Sequence, residues 1–185
     1  MPPVQKAEKA KAIQKRNEEP MRRALYRMSG VGLTSIDAIG VESVQVALSE
    51  YGPGLSRFET EKQFVSHVTL APRQRTSGGQ PVKKKRRNTA STRVAAALRM
   101  AALSLRHTAT ALGAYYRGIA RRLGGDVAVF ATARKLATPI YRLLRWGQPY
   151  VDEGAEAYER RYQEARLSAL KAKAKELGYQ LSPSA

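Results

Sequence analysis

Thr76-Ser77-Gly78-Gly79 is the stretch of this chain best suited to chemistry. It carries a hydroxyl on a glycine loop, preceded by Arg73 and Arg75. Phosphoryl transfer by a serine needs this set. The glycines let backbone approach a phosphodiester, Ser77 can attack phosphorus, and Arg73 and Arg75 can neutralise the charge that develops. No His or carboxylate lies nearby in sequence, so a base would have to come from elsewhere. The same composition also suits a plain flexible loop. A basic run follows, Lys83-Lys84-Lys85-Arg86-Arg87, and then Arg93. It can clamp phosphates, and it also looks like a localisation signal, a pattern that arises easily in basic proteins. Upstream, Ile39-Gly40-Val41 lies between two apolar segments, Leu33–Ile39 and Val44–Leu48. A helix–hairpin–helix would aim backbone N–H groups of this turn at a phosphate without reading sequence. Gly turns between helices also occur with no such role, and Ala38 stands where such hairpins usually place their first glycine.

Charge narrows the partners. The 185 residues hold 33 Lys and Arg against 15 Asp and Glu, a formal charge of +18. Between Glu61 and Asp126 there is no carboxylate, and every charged side chain is Lys or Arg. Nothing in that window offsets the field or repels phosphate, so nucleic-acid binding with a steep salt dependence is expected. There is no Cys, and the two His, His67 and His107, are far apart and read as helix-face residues. Disulfides, thiol catalysis and Cys/His metal sites are excluded, and no metal ligands are assigned to this chain. No apolar run is long enough to span a membrane, and the charged N-terminus lacks a signal-like core. A cytoplasmic location and no membrane partner are expected.

The elements that must position these residues read as all-α. Residues 3–28 form a helical arm that Pro20 can break, with too thin an apolar face to close a core, so it should project. Thr60–Leu70 is a short helix with Phe64, Val65 and Val68 on one side. Ala71–Ala90 is a loop by composition. From Ser91, apolar residues recur near a 3.6 period through Leu105 and Leu112, which predicts one helix to Leu123. A second runs from Asp126 to Trp146, kinked at Pro139. Gly124-Gly125 is a short connection, so these two form an antiparallel hairpin, with Val94, Leu98 and Leu105 facing Ile140, Leu136 and Val129. A last helix, Glu153–Leu177, stops at Gly178. Tyr115-Tyr116-Arg117 could stack on bases, but packing fits these residues better.

Taken in order, these segments resemble the C-terminal half of insertion-sequence transposases of the IS one-ten (one-ten/one-sixteen/nine-oh-two) type. The resemblance runs from about Ser29 to Leu177. It rests on Ile36-x-x-Ile39-Gly40, Phe58 with Phe64, Leu70-Ala71-Pro72-Arg73, Ser77-Gly78-Gly79, the alanine-rich helix at Ser91–Arg106, and Tyr115-Tyr116-Arg117. Ala131-Thr132-Ala133-Arg134-Lys135 and Ile140-Tyr141-Arg142-Leu143-Leu144 extend it. It implies that Ser77 is the nucleophile of a DNA transposase or recombinase working through a serine–DNA phosphodiester. It implies DNA as partner, a structured guide RNA, and a homo-oligomer of the full-length enzyme. It also implies that a divalent metal such as Mg is bound by a separate RNase H-like acidic domain absent from this chain. The expected organisation is an arm (1–28), a serine-nucleophile domain (29–177) and a tail (178–185), forming a fragment inactive alone. The alternatives are a non-catalytic helical nucleic-acid-binding protein and a cationic scaffold for acidic partners or membranes.

Overall fold

The longest apolar stripe belongs to helix α6 (Gly125–Trp146), and the protein is built around it. In this computed structural model, residues 17–68, 76–77, 80–81 and 92–182 are described. Leu136, Ile140, Leu143 and Leu144 recur at helical spacing and all face inward, with Ala133 and Ala137 allowing close approach between them. Helix α4 (Arg93–Ser104) and helix α5 (Ala111–Leu123) both pack along α6. Helix α3 (Glu61–His67) packs on its other end, and helix α2 (Val41–Tyr51) packs on α4. Helix α7 (Ala155–Glu176) lies against α5. The fold is all-α apart from one antiparallel ladder of two residues per strand, β1 (Thr76–Ser77) with β2 (Gln80–Pro81).

The hairpin expected about Gly124-Gly125 is present. Gly124 has φ +89°, a left-handed conformation that glycine adopts at little cost, and it ends α5 and starts α6. Lys135 Nζ stands 4.5 Å from the Tyr115 ring centroid, so residues equidistant from Gly125 lie side by side, as an antiparallel pair requires. Val94, Leu98 and Leu105 share one core with Leu136 and Ile140. Val129 is only half-buried; Ala128, one residue earlier, is the buried one.

The first arm of that hairpin is not a single helix. α4 ends at Ser104, a 3-10 turn covers Leu105–His107, and α5 starts at Ala111. Two threonines make the break. Thr108 Oγ1 donates to the Leu105 carbonyl (3.0 Å), and Thr110 Oγ1 accepts from Gly113 N (3.1 Å) as the N-cap of α5. Arg117 Nη1 donates to the Thr108 carbonyl (2.7 Å), and Ala111 N donates to Asp152 Oδ1 (2.9 Å). Backbone crowds this corner: a Cβ on Gly113 would stand 2.5 Å from the Thr108 carbonyl oxygen.

Three further expectations change. Residues 17–29 (helix α1) are helical straight through Pro20, and Leu25 is buried in the common core, so this part of the arm packs instead of projecting. One apolar side chain suffices, because Leu33 and Val44 meet it from the body. The α-helix expected over Leu33–Ile39 is a single 3-10 turn, Leu33–Ser35. The left-handed residue of the following turn is Ala38 (φ 63°), while Gly40 has φ −85° and open space where a Cβ would go. The turn therefore needs a glycine-like conformation at Ala38, the place of the missing first glycine, and not at Gly40.

Candidate nucleic-acid and strand-transfer site

The roots of the serine loop are the firmest part of this site. On the incoming side, α3 is capped by Thr60 and ends in Phe64, Val65 and Val68, all buried. On the outgoing side, Thr92 Oγ1 accepts from Ala95 N (3.1 Å) as the N-cap of α4. Glu50 on α2 grips the next residue twice, its Oε1 accepting from Arg93 N (3.0 Å) and Arg93 Nε (3.1 Å). Tyr51 lies beside this anchor, and burial raises its phenol above the usual range. The rings of Tyr51, Phe58, Phe64 and His67 meet mostly edge to face at 5.1–5.9 Å between centroids, and Arg57 lies 4.8 Å over both Tyr51 and Phe58. Both ends of the loop thus start from one apolar and aromatic cluster.

Within the loop, Ser77 pairs with Gln80 and Thr76 with Pro81 in antiparallel register. Arg73, Arg75, Gly78, Gly79 and Lys83, Lys84, Lys85, Arg86 and Arg87 lie outside the described residues. Arg93 is described. It is tied to Glu50, yet its side chain stays 72% exposed, so its outer nitrogens face solvent.

The turn at Ile39-Gly40-Val41 is built into the core. Ile39 and Val41 are buried core residues, and Ile39 N donates to the Ile36 carbonyl (3.0 Å). The surface cavity at this end of α2 is lined by Glu18 and Glu42 and by no Lys or Arg, a poor setting for an anion. Asp37 in the same turn accepts from Tyr150 OH (2.9 Å), tying it to the segment after α6. Burial raises the Asp37 carboxyl above its ordinary range, against the Tyr150 bond; burial and that same bond push the Tyr150 phenol up. Among the described residues no group of three His, Asp or Glu could hold a metal ion.

The rest of the carboxylate-free window contributes further arginines. Among the described residues, Arg99, Arg106, Arg117, Arg121 and Arg122 have no carboxylate partner. Arg121 and Arg122 donate through Nε to the carbonyls of Arg117 (3.4 Å) and Gly118 (3.2 Å), which orients their outer nitrogens away from the helix. Tyr116 is buried, as packing predicts. Tyr115 instead joins Tyr158 and Lys135 in a cluster between α5, α6 and α7. That cluster, Glu50, and the Asp37–Tyr150 tie are not picked out by the sequence reading. The visible signal for the cluster was the i, i+4, i+8 spacing of Tyr158, Tyr162 and Arg166.

Among the described residues no helix is long and apolar enough to cross a membrane. No curated protein and no solved structure matches the chain. One family model does, over residues 32–117, and that span holds α2, α3, the serine loop, α4 and most of the first turns of α5. That model is the transposase IS116/IS110/IS902 family, and the stretch similar to it includes Ser77 and both loop anchors.

Proposed function

We propose that this chain is the serine-bearing half of a DNA transposase, in which Ser77 exchanges DNA strands through a covalent phosphodiester. The observation that carries the reading is the position of Ser77. It falls within the matched span, on a loop whose two roots are anchored in the core, inside a window with no carboxylate. In the proposed step a bond forms between Ser77 Oγ and phosphorus, and the bond from phosphorus to the leaving deoxyribose oxygen breaks. The serine proton passes to a carboxylate of a separate acidic domain, and the leaving oxygen takes up a proton. Attack by a second deoxyribose hydroxyl reverses the process and frees the serine. Arg73 and Arg75 oppose the extra negative charge on the phosphoryl oxygens at the transition state. The metal belongs to the acidic domain, where it would polarise the phosphoryl oxygens. The role of this chain is to bind DNA, position the serine and supply cations. It is a fragment in this reading, and by itself it does not cleave.

Two measurements test this. The first reconstitutes the chain with an acidic domain of the family and traps covalent protein–DNA species. Ser77→Ala should abolish them, and Thr76→Val should keep most activity, because its hydroxyl lies one residue off in sequence. Attachment at another residue, or full activity in Ser77→Ala, overturns the assignment and leaves a non-catalytic nucleic-acid-binding protein. The second follows DNA affinity against salt. With about six phosphate contacts at ~0.9 each, the log–log slope on duplex DNA should be about −5, and replacing Lys83–Arg87 by Gln should flatten it by several units. An unchanged slope would move the binding surface elsewhere.

A further inference from the structure

Helix α7 buries no residue, yet its tyrosines are not scattered. Tyr158 and Tyr162 sit one turn apart on the side facing α5, half-buried, with their rings parallel to within 9° and 6.3 Å between centroids. Across from them α5 contributes Tyr115, Gly118, Arg121 and Arg122, and Arg166 extends the α7 side. Together they line a groove of about 240 Å³, less than the roughly 300–1,000 Å³ of ordinary small-molecule pockets. Gly118 leaves its floor open, since a Cβ there would meet nothing within 4 Å. Arg122 and Arg166 approach the Tyr162 ring to 5.8 and 5.9 Å. Three arginines face a single carboxylate, Glu159, along this groove.

We propose that the groove between α5 and α7 binds single-stranded nucleic acid, with Tyr158 and Tyr162 as a base-stacking platform and Arg122 and Arg166 holding the backbone phosphates. Flat ring faces bordered by guanidinium groups are what an unpaired strand needs, because every base offers a π face and every nucleotide a phosphate. A duplex keeps its base faces stacked inside, so it can use the arginines and not the rings. Arg121 and Arg122 are held by helix carbonyls through Nε, which spends their conformational freedom in advance and leaves the outer nitrogens for phosphate. The shape also fits: the groove is open, and α7 continues past it with an exposed cationic stretch, Lys171, Lys173 and Lys175. Half of the site, the α7 half, lies beyond the matched span 32–117, and the inference does not depend on the role of Ser77.

The test measures fluorescence anisotropy of the whole chain with labelled oligo(dT), oligo(U) and a duplex of equal length, and co-sedimentation with anionic phospholipid vesicles. The single strands should bind in preference to the vesicles, and the dT and U arms tell whether DNA or RNA is favoured. Tyr158→Ala with Tyr162→Ala should weaken single-strand binding by about 10- to 100-fold and duplex binding by less than about 3-fold. Tyr158→Phe with Tyr162→Phe keeps the rings and should restore wild-type single-strand affinity. Arg122→Gln with Arg166→Gln should flatten the single-strand salt slope by about 1.4, at ~0.7 per phosphate, and this pair decides the matter if the alanine variant loses its helical circular dichroism. Equal losses on single strand and duplex, no loss on either, or a preference for vesicles would overturn the proposal. Covalent trapping tests the strand-transfer reading and single-strand affinity tests this one, so the two fail separately.

Discussion

Helices α6 and α7 have the same length, 22 residues, and opposite roles. α6 turns Leu136, Ile140, Tyr141, Leu143 and Leu144 into the core and receives α3, α4 and α5 on different sides. α7 buries nothing; tyrosines and charged side chains hold its first half to α5, and Leu167 and Leu170 beyond them are half or more exposed. A helix buried on several sides owes its stability to packing, and a helix that is polar nearly all round owes it to local propensity and pairwise contacts. The difference separates scaffold from working surface. The serine loop takes both of its roots from the packed half, whereas the groove proposed for single strands belongs to the polar half.

The largest effect expected from this comparison is at the centre of α6. Leu136 is fully buried, so Leu136→Ala should cost about 3 kcal/mol, from lost transfer energy and the cavity left behind. Urea unfolding followed by circular dichroism measures it, and a loss below about 1 kcal/mol would mean that α6 is not the packing centre. A smaller effect is expected where α6 meets the loop root. Tyr141 OH donates to the Phe58 carbonyl (2.9 Å) in a buried setting. Tyr141→Phe keeps the ring and strands that carbonyl, at a cost of about 1–2 kcal/mol. Since Phe58 belongs to the aromatic cluster beside the loop, the same variant should sharpen amide exchange at Val65 and Val68 more than at α7.

What the sequence disclosed follows the same division. α6 was legible almost to the residue, because its apolar period is strong and Gly124 and Gly147 bound it, both with positive φ. The break between α4 and α5 was hidden, because Leu105 and Leu112 continue the apolar period across it. The Thr108 and Thr110 bonds and the close fit at Gly113 reveal it, and these are local hydroxyl and backbone contacts that an apolar period does not register. The turn at Ala38 shows propensity yielding to packing. Ile36 and Ile39 are both buried, and holding them there forces a left-handed backbone on a residue with a Cβ. The family resemblance identified Ser77 and the order of segments. It said nothing of Glu50, whose grip on Arg93 depends on two residues far apart in sequence.

The smallest effect should come from the outer part of α7, and it is the sharpest check on the comparison. Leu170 is 55% exposed, so little apolar surface returns to water when it is cut back to alanine. Alanine is also a slightly better helix former than leucine, which offsets part of that loss. Leu170→Ala should therefore move stability by less than about 0.5 kcal/mol, against about 3 kcal/mol for the same substitution at Leu136. The two variants are compared by the same urea titration at two protein concentrations. A loss above about 1 kcal/mol that grows with protein concentration would show Leu167 and Leu170 covered by a second copy in solution, and the polar helix would then be an interface. A concentration-independent loss of that size would place this face against the body and undo the contrast between the two helices.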